Sequence, residues 1–244
     1  MTLLALACIV LAAHTVETIM GFGSTVIALS LGAHLVPVRD LVPTLVLVGW
    51  VPSLWIFFRS YRRIQWRLLF RQILPFSALG FPLGMWCFRV LSAEHLKFVL
   101  GAFVTALAAL AALEFLRISR AGSEAAPLKS PAGEILLASG GFFQGLMATG
   151  GPLIVYRVSR EISEKGAFRG TLSVLWLTLN SVLITSFFVS GRMAAGGPAL
   201  ALSLLPAVFL GIFLGEVIHL RVNPGAFRVF VQIVLFLTGV SLLL

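Results

Sequence analysis

The sequence predicts an all-α, polytopic integral membrane protein, and three observations support this class. Hydrophobic residues make up 59% of the 244-residue chain and charged residues only 11%, with a mean hydropathy of +1.04. Soluble globular proteins have about 45–50% apolar and about 25% charged residues, which excludes a soluble enzyme or a nucleic-acid-binding module. The apolar runs are continuous and reach about 18–22 residues, enough to cross a bilayer as a helix, whereas β-barrel strands alternate apolar and polar residues.

Ten apolar segments, separated by short polar loops, supply the predicted helices. They are residues 3–20, 24–37, 41–58, 68–88, 96–116, 134–149, 151–157, 171–190, 199–218 and 226–244. No Lys or Arg precedes Arg39, so the first segment is interpreted as a retained membrane helix rather than a cleaved signal peptide. Cys8 and Cys87 both lie inside apolar runs, so no disulfide framework is expected.

The two halves of the chain resemble each other, which indicates an internal duplication. The aligned pairs are Met20 with Met147 and Gly23 with Gly150 at a shift of 127 residues, and Gly80 with Gly211 and Gly84 with Gly215 at a shift of 131. The polar stretch at the midpoint has the composition of a linker. We therefore divide the single membrane domain into a first repeat (1–116), a cytoplasmic linker (117–133) and a second repeat (134–244).

The positions of Lys and Arg predict the topology. An apolar run is broken by glycine in each half, at 21–24 and at 150–152, and the arm 151–157 is too short to span a core of about 30 Å. If 134–157 crossed the membrane as one helix, nine basic residues would lie on each side; if it forms a re-entrant hairpin, fourteen lie inside and four outside. The positive-inside rule favours the hairpin. One hairpin and three crossings in each half predict two inverted repeats, an architecture typical of secondary transporters.

The motifs Gly21-Phe-Gly-Ser24, Arg63-Ile-Gln-Trp-Arg67, Gly150-Gly-Pro152 and Ala167-Phe-Arg-Gly-Thr171 resemble, in order and spacing, those of the sulfite exporter TauE/SafE family, also called the 4-toluene sulfonate uptake permeases. The resemblance covers nearly the whole chain. The departures are Ser24, where the family usually has another glycine, and a rather short chain. The resemblance implies a multi-pass transporter of the inner (cytoplasmic) membrane that carries sulfur-containing oxyanions or organosulfonates. Neither the particular substrate nor the direction is implied.

The two glycine breaks are the predicted substrate-binding site. A helix that begins inside the membrane exposes N–H groups and the positive end of its dipole, and glycine lets the backbone approach an anion closely. The predicted binding residues are Gly21, Gly23, Ser24, Thr25, Thr149, Gly150, Gly151, Thr171 and Asn180. The alternative is that these residues bind no ligand. In that case the glycines allow close helix packing or a kink, and the polar side chains form interhelical hydrogen bonds.

Two residues of the first apolar run are candidates for proton coupling. A charge at the midplane costs at least about 2.5–3.5 kcal/mol on insertion scales, so Glu17 should face a polar cavity or be protonated. His14 lies three residues earlier, on the same helical face. The repeat partner of Glu17 is Gln144, which does not titrate, so a proton role would be confined to the first half. Glu216 and His219 repeat the spacing at a membrane boundary, where they are interpreted as solvated.

The predicted function is secondary transport of sulfite, thiosulfate or an organosulfonate, with the anion held at two half-helix N-termini near the midplane. An anion channel of the same architecture and an accessory membrane subunit are the alternatives. An intramembrane enzyme is disfavoured, and we predict no catalytic residue, no cofactor and no metal site. The expected partners are the small anion and the lipid bilayer, not nucleic acid, while the oligomeric state stays open, a homodimer included.

The topology is testable with a cysteine at Glu164, in a background without Cys8 and Cys87. The fourteen-to-four distribution of basic residues predicts that this cysteine reacts with membrane-impermeant reagents only from the cytoplasmic side. Labelling from outside in intact cells would contradict the hairpin in the second half.

Overall fold

The computed structural model describes residues 1–20, 23–121, 131–193, 197–219 and 224–244. Within these residues the regular structure is helical. The α-helices are α1 (Thr2–Met20), α2 (Ser24–Gly32), α3 (Val38–Ser60), α4 (Trp66–Leu68), α5 (Leu74–Val90), α6 (Ala93–Ala121), α7 (Ala132–Met147), α8 (Gly151–Val158), α9 (Lys165–Val189), α10 (Gly197–His219) and α11 (Pro224–Leu243). A 3₁₀ turn at Tyr61–Arg63 precedes α4, and a π-helical turn at Leu69–Ile73 joins α4 to α5. The predicted all-α class is confirmed.

Six helical segments of the described residues are long and apolar enough to cross a membrane. They are Thr2–Ile19, Val38–Arg63, Trp66–Val90, Ala93–Leu110, Lys165–Val189 and Gly197–Ile218. Helix α11 contributes a shorter apolar stretch, Val231–Leu243. The chain is therefore a multi-pass membrane protein, as predicted. Helices α7 and α8 have 16 and 8 residues, about 24 Å and 12 Å at 1.5 Å per residue, so neither one spans the core alone.

The chain divides into two compact units, and each unit draws elements from both halves of the sequence. One unit consists of Met1–Leu41, Leu91–Ala125 and Leu202–Leu244, and the other of Val42–Val90 and Ala126–Ala201. The first therefore contains α1, α2, α6, α11 and most of α10. The second contains α5, α7, α8, α9 and most of α3. The predicted linker 117–133 begins inside α6, which continues to Ala121, and its residues 122–130 lie outside the described part of the chain.

In the second unit, glycines bring α5 and α7 into backbone contact. A Cβ built on Gly80 would overlap the carbonyl oxygen of Ala138, and one on Gly84 would overlap that of Phe142. From the other helix, a Cβ on Gly141 would overlap the carbonyl of Ser77. Residue numbers increase together along both helices at these contacts, so α5 and α7 run parallel. Small residues at such an interface let two helix backbones approach closely, as is common in membranes.

In the first unit, α10 packs on α1 at the positions that the repeat predicts. A Cβ on Gly211 would lie 2.5 Å from the carbonyl oxygen of Leu11, and one on Gly215 would lie 2.8 Å from that of Thr15. Leu11 and Thr15 precede Ala138 and Phe142 by 127 residues, and the two glycines follow Gly80 and Gly84 by 131. Both units thus contain the same pair of glycine contacts, which supports the duplication inferred from the sequence.

The helices on either side of each glycine break pack against each other. In the second half, a Cβ on Gly133, at the start of α7, would meet the side chain of Arg157 at the end of α8, while Gly140 lies against Ile154. These antiparallel contacts bring the two outer ends of the hairpin together. In the first half, a Cβ on Gly32, the last residue of α2, would lie 3.5 Å from Leu6 near the start of α1.

The packing of α5 on α7 predicts the effect of one added methyl group. Gly84→Ala places its Cβ against the main-chain carbonyl of Phe142, where only backbone movement relieves the overlap. Overpacking of this kind costs about 1–3 kcal/mol. We expect a lower melting temperature of the purified protein in detergent. An unchanged melting temperature would mean that α5 and α7 are further apart than the structure shows.

Candidate functional site

The first turn after α7 reverses the chain direction. Helix α7 ends at Met147, and Ala148 adopts a left-handed conformation with φ 56°, which is uncommon for a residue other than glycine. Thr149 is fully buried. Its main-chain N–H and its hydroxyl both donate to the carbonyl oxygen of Phe143, at 3.2 Å and 3.4 Å. The predicted site residue Thr149 therefore closes the C-terminal end of α7.

A buried amide side chain braces the break. The main-chain N–H of Gly150 donates to the Oε1 atom of Gln144 at 3.2 Å. The Nε2 atom of Gln144 donates in turn to the Oδ1 atom of Asn180 on α9 at 2.9 Å. Gln144 and Asn180 are 3% and 7% exposed, so the chain of two bonds is screened from water. It fixes the start of α8 to α7 and to α9 simultaneously.

The two glycines at the start of α8 have different surroundings. A Cβ on Gly150 would overlap the carbonyl oxygen of Gly140, so this glycine is required for close packing. A Cβ on Gly151 would meet no described atom within 4 Å. In the first turn of α8 the N–H groups of Gly151 and Leu153 have no acceptor inside the helix, and Pro152 has no N–H. Open space and helix N–H groups therefore coincide at Gly151.

The first hairpin has a related start to its short helix. Gly23 precedes α2 with φ 102° and ψ 0°, a conformation that glycine adopts without strain. A Cβ on Gly23 would meet no described atom within 4 Å. Ser24 is buried and Thr25 half-buried in the first turn of α2. Gly21, another predicted binding residue, lies outside the described residues.

The two candidates for proton coupling form a pair. The Nδ1 atom of His14 lies 3.0 Å from the Oε2 atom of Glu17, and the side chains are 4% and 31% exposed. The expectation that both share a face of α1 is thus met. His14 also lies where α10 packs, because a Cβ on Gly211 would be 3.2 Å from the Cβ of His14.

Thr171 is placed apart from the glycine break. Its hydroxyl oxygen accepts the main-chain N–H of Gln65 at 3.0 Å, so it holds the loop before α4 against the start of α9. Thr171 and Asn180 are nine residues apart on α9, about 13 Å along the helix axis. Of the predicted residues in the second half, the structure brings Thr149, Gly150, Gly151 and Asn180 to the hairpin and leaves Thr171 elsewhere.

The carboxylate of Glu164 also links the loop before α4 to the start of α9. Glu164 precedes α9 and accepts the main-chain N–H groups of Gly166 and Ala167 at 2.8 Å and 2.6 Å. These two bonds, and the Arg63 guanidinium 3.6 Å away, hold the pKa of the Glu164 carboxyl below its usual value. The carboxylate therefore stabilises the folded chain at neutral pH, and this contribution is lost as the pH falls through the lowered pKa.

The sequence pattern indicated Gln144 only as the non-titrating partner of Glu17, whereas in the structure its side chain connects α7, the start of α8 and α9. An amide inside an apolar run, six residues before a glycine, was the available signal. Groups of three or more His, Cys, Asp or Glu side chains that could hold a metal ion do not occur in the described part of the chain.

The hairpins, the repeated glycine contacts and the membrane-spanning helices define a polytopic membrane protein with two broken helices, the class to which many transporters belong. The family model described as Sulfite exporter TauE/SafE matches residues 5–242. The chain belongs to this family, as its motifs predicted, and is a membrane transporter rather than an enzyme.

One relative is informative. The chain is 28% identical over 185 residues to a protein of Comamonas testosteroni described as "Probable inner membrane transporter protein TsaS". The match covers 75% of this chain and 74% of the relative. No solved structure matches the chain significantly.

Proposed function

We propose that this protein is a secondary transporter of the inner membrane that moves a small sulfur-containing anion, namely sulfite, thiosulfate or an organosulfonate. The anion binds at the start of α8, where the N–H groups of Gly151 and Leu153 point out of the helix. The description of the family supports the sulfur chemistry, and that of the relative supports the inner membrane. The main observation in favour of this site is the open space at Gly151. It lies at the N-terminus of α8, which the side chain of Gln144 fixes by its bond to Gly150.

Electrostatics favour an anion at this position. A helix N-terminus carries roughly half a positive charge, which falls off within about one turn, and backbone donors that are already oriented need no reorganisation to bind. The first hairpin supplies an equivalent set of groups at Gly23, Ser24 and Thr25. The inverted orientation of the two repeats is part of this proposal and is supported by the distribution of the basic residues.

Proton coupling is proposed for Glu17. The equivalent residue Gln144 is an amide that braces its own hairpin, so the first repeat has a titratable group where the second has a neutral one. His14 at 3.0 Å provides a partner that accepts or donates a proton.

The anion site predicts a specific loss in Gly151→Ala. The added methyl group meets no described atom and the φ of Gly151 is not positive, so the fold should tolerate it. In the site, the methyl group displaces the anion from the helix N–H groups. Loss of one charge-assisted hydrogen bond, about 1.5–3 kcal/mol, predicts a roughly 10- to 100-fold weaker affinity. Titration of the purified protein with sulfite, thiosulfate and taurine measures this change, and the melting temperature should not fall.

Two other glycines serve as controls. A Cβ on Gly150 overlaps the carbonyl of Gly140, and one on Gly211 lies 2.5 Å from that of Leu11. Gly150→Ala and Gly211→Ala should therefore lower the melting temperature, and Gly211→Ala should leave the affinity of the folded protein unchanged. Normal affinity in Gly151→Ala would disprove the proposed site.

The coupling role predicts the behaviour of Glu17→Gln. The substitution copies the residue found at the equivalent position of the second repeat, so we expect the variant to fold and to exchange substrate across proteoliposomes. Accumulation driven by a pH gradient should disappear, because the amide does not titrate. Accumulation equal to that of the unmodified protein would assign Glu17 a purely structural role.

A further inference from the structure

A strongly basic turn, residues 59–71, connects α3 to α5 on the side of the membrane predicted to be cytoplasmic. Its arginines are Arg59, Arg62, Arg63, Arg67 and Arg71, and all five are exposed. No Asp or Glu occurs in the sequence between Asp40 and Glu94. The turn is therefore a concentrated positive surface between two helical segments that are each long enough to cross a membrane.

Most of this positive charge has no partner in the part of the chain that the structure describes. Arg63 lies 3.6 Å from the carboxylate of Glu164. The other arginines of the turn are Arg59, Arg62, Arg67 and Arg71. Within the described residues, their side chains form neither an ion pair nor a hydrogen bond. Their N–H donors are therefore left to water or to a ligand.

Aromatic side chains of the same region form a continuous cluster, made up of Phe57, Tyr61, Trp66 and Phe70. The ring centroids of Phe57 and Tyr61 are 5.7 Å apart, and those of Tyr61 and Trp66 are 5.9 Å apart. Trp66 stacks on Phe70 at 5.8 Å. Tyr61, Trp66 and Phe70 are 54%, 36% and 57% exposed. Exposed Tyr and Trp side chains favour the headgroup level of a bilayer, so the cluster places the basic turn at the depth of the lipid phosphates.

Two of the arginines lie next to each other and next to the stacked rings. Arg67 follows Trp66 by one residue, and Arg71 follows Phe70 by one. The stacking of Trp66 on Phe70 shows that residues four apart are neighbours on this stretch, so Arg67 and Arg71 are neighbours as well. Like charges at this spacing destabilise a helix. An anion bound between the two guanidinium groups would relieve their repulsion.

We propose that the basic turn binds an anionic phospholipid of the cytoplasmic leaflet, with its phosphate between Arg67 and Arg71 and an acyl chain along the rings of Trp66 and Phe70. Guanidinium groups match phosphate oxygens in geometry, and the anionic leaflet attracts basic residues beside a membrane helix. A soluble phosphate compound would neutralise the charges but would leave the rings uncovered, so the combination favours a lipid. The proposal does not depend on the transport of an anion.

Bound lipid at this turn should stabilise the second unit, because the turn is bonded to α9. The main-chain N–H of Gln65 donates to the hydroxyl of Thr171, and a Cβ on Gly170 would lie 2.9 Å from the Cβ of Ser60. Further along α9, Asn180 holds the amide of Gln144 at the glycine break. A ligand that binds only the folded turn raises the stability of the folded chain by mass action.

The test is titration of the purified full-length protein in detergent with phosphatidylglycerol and with phosphatidylcholine, followed by native mass spectrometry and by the melting temperature. Phosphatidylglycerol should bind roughly tenfold or more tightly than phosphatidylcholine and should raise the melting temperature. Arg67→Gln and Arg71→Gln should each weaken its binding about fivefold, and the double variant about 25-fold. Arg67→Lys, which keeps the charge but not the planar fork, should recover part of the loss.

Lys97→Gln is the matched control for charge, because Lys97 is predicted to lie on the outer side and is not part of the basic turn. It should leave the binding of phosphatidylglycerol unchanged. Equal losses in Lys97→Gln and Arg67→Gln, or equal binding of the two lipids to the unmodified protein, would overturn the proposal. In phosphatidylcholine alone the arginine variants should melt like the unmodified protein, because these side chains have no partner among the described residues.

Two further comparisons test whether the ligand is a lipid seated on the rings. Trp66→Leu should weaken the binding of phosphatidylglycerol several-fold, whereas Trp86→Leu, which changes an equally apolar and 59% exposed tryptophan of α5, should not. Glycerophosphoglycerol, the headgroup without acyl chains, should not compete with the lipid at the same concentration. If it competes fully, or if both tryptophan variants bind phosphatidylglycerol alike, the turn is a site for soluble phosphate compounds and the proposal is wrong.

Discussion

The structure depends on one physical constraint, that a helix which stops in buried, apolar surroundings must find partners for its backbone groups. At the end of α7 this requirement is met within a few residues. Thr149 donates to the carbonyl of Phe143, and the side chain of Gln144 accepts the N–H of Gly150. Asn180 then holds the amide of Gln144 in its orientation. These bonds satisfy the polar groups of the turn itself. They leave the N–H groups of Gly151 and Leu153 available, which an anion would need in order to bind there.

Glycine makes this arrangement sterically possible, because α7 is close to its neighbours on two faces. Gly141 and Gly145 meet the backbone of α5, while Gly140 meets α8. The equivalent residues of α1, found 127 positions earlier, include His14 for Gly141 and Thr18 for Gly145. The first repeat keeps the glycines of the partner helix, Gly211 and Gly215, but has larger side chains on the broken helix. In the first repeat only α10 contributes glycines to the contact with α1. In the second repeat both α5 and α7 contribute glycines to their contact.

The sequence was sufficient for the helices, the multi-pass class and the second hairpin, because apolar length and the distribution of Arg and Lys report directly on the membrane. The sequence was not sufficient to distinguish the packing role of Gly150 from the open surroundings of Gly151. Both are glycines in one motif, yet one packs against a carbonyl and the other faces open space, a difference that arises from the antiparallel contact of α7 with α8. Thr171 was likewise grouped with Asn180 because both are polar residues on one helix, and only the fold shows that its hydroxyl serves the loop at Gln65.

The use of backbone groups at the proposed anion site follows from what a carrier requires of it. A site inside the membrane has a low dielectric constant, and an arginine paired there with a sulfonate would bind it strongly and release it slowly. The break at Gly151 uses backbone dipoles instead, and the nearest cationic side chain along α8, Arg157, lies at the far end of the helix and is paired with Glu161 at 2.6 Å. Partial charges in place of a full one would let an anion leave the proposed site as readily as it enters.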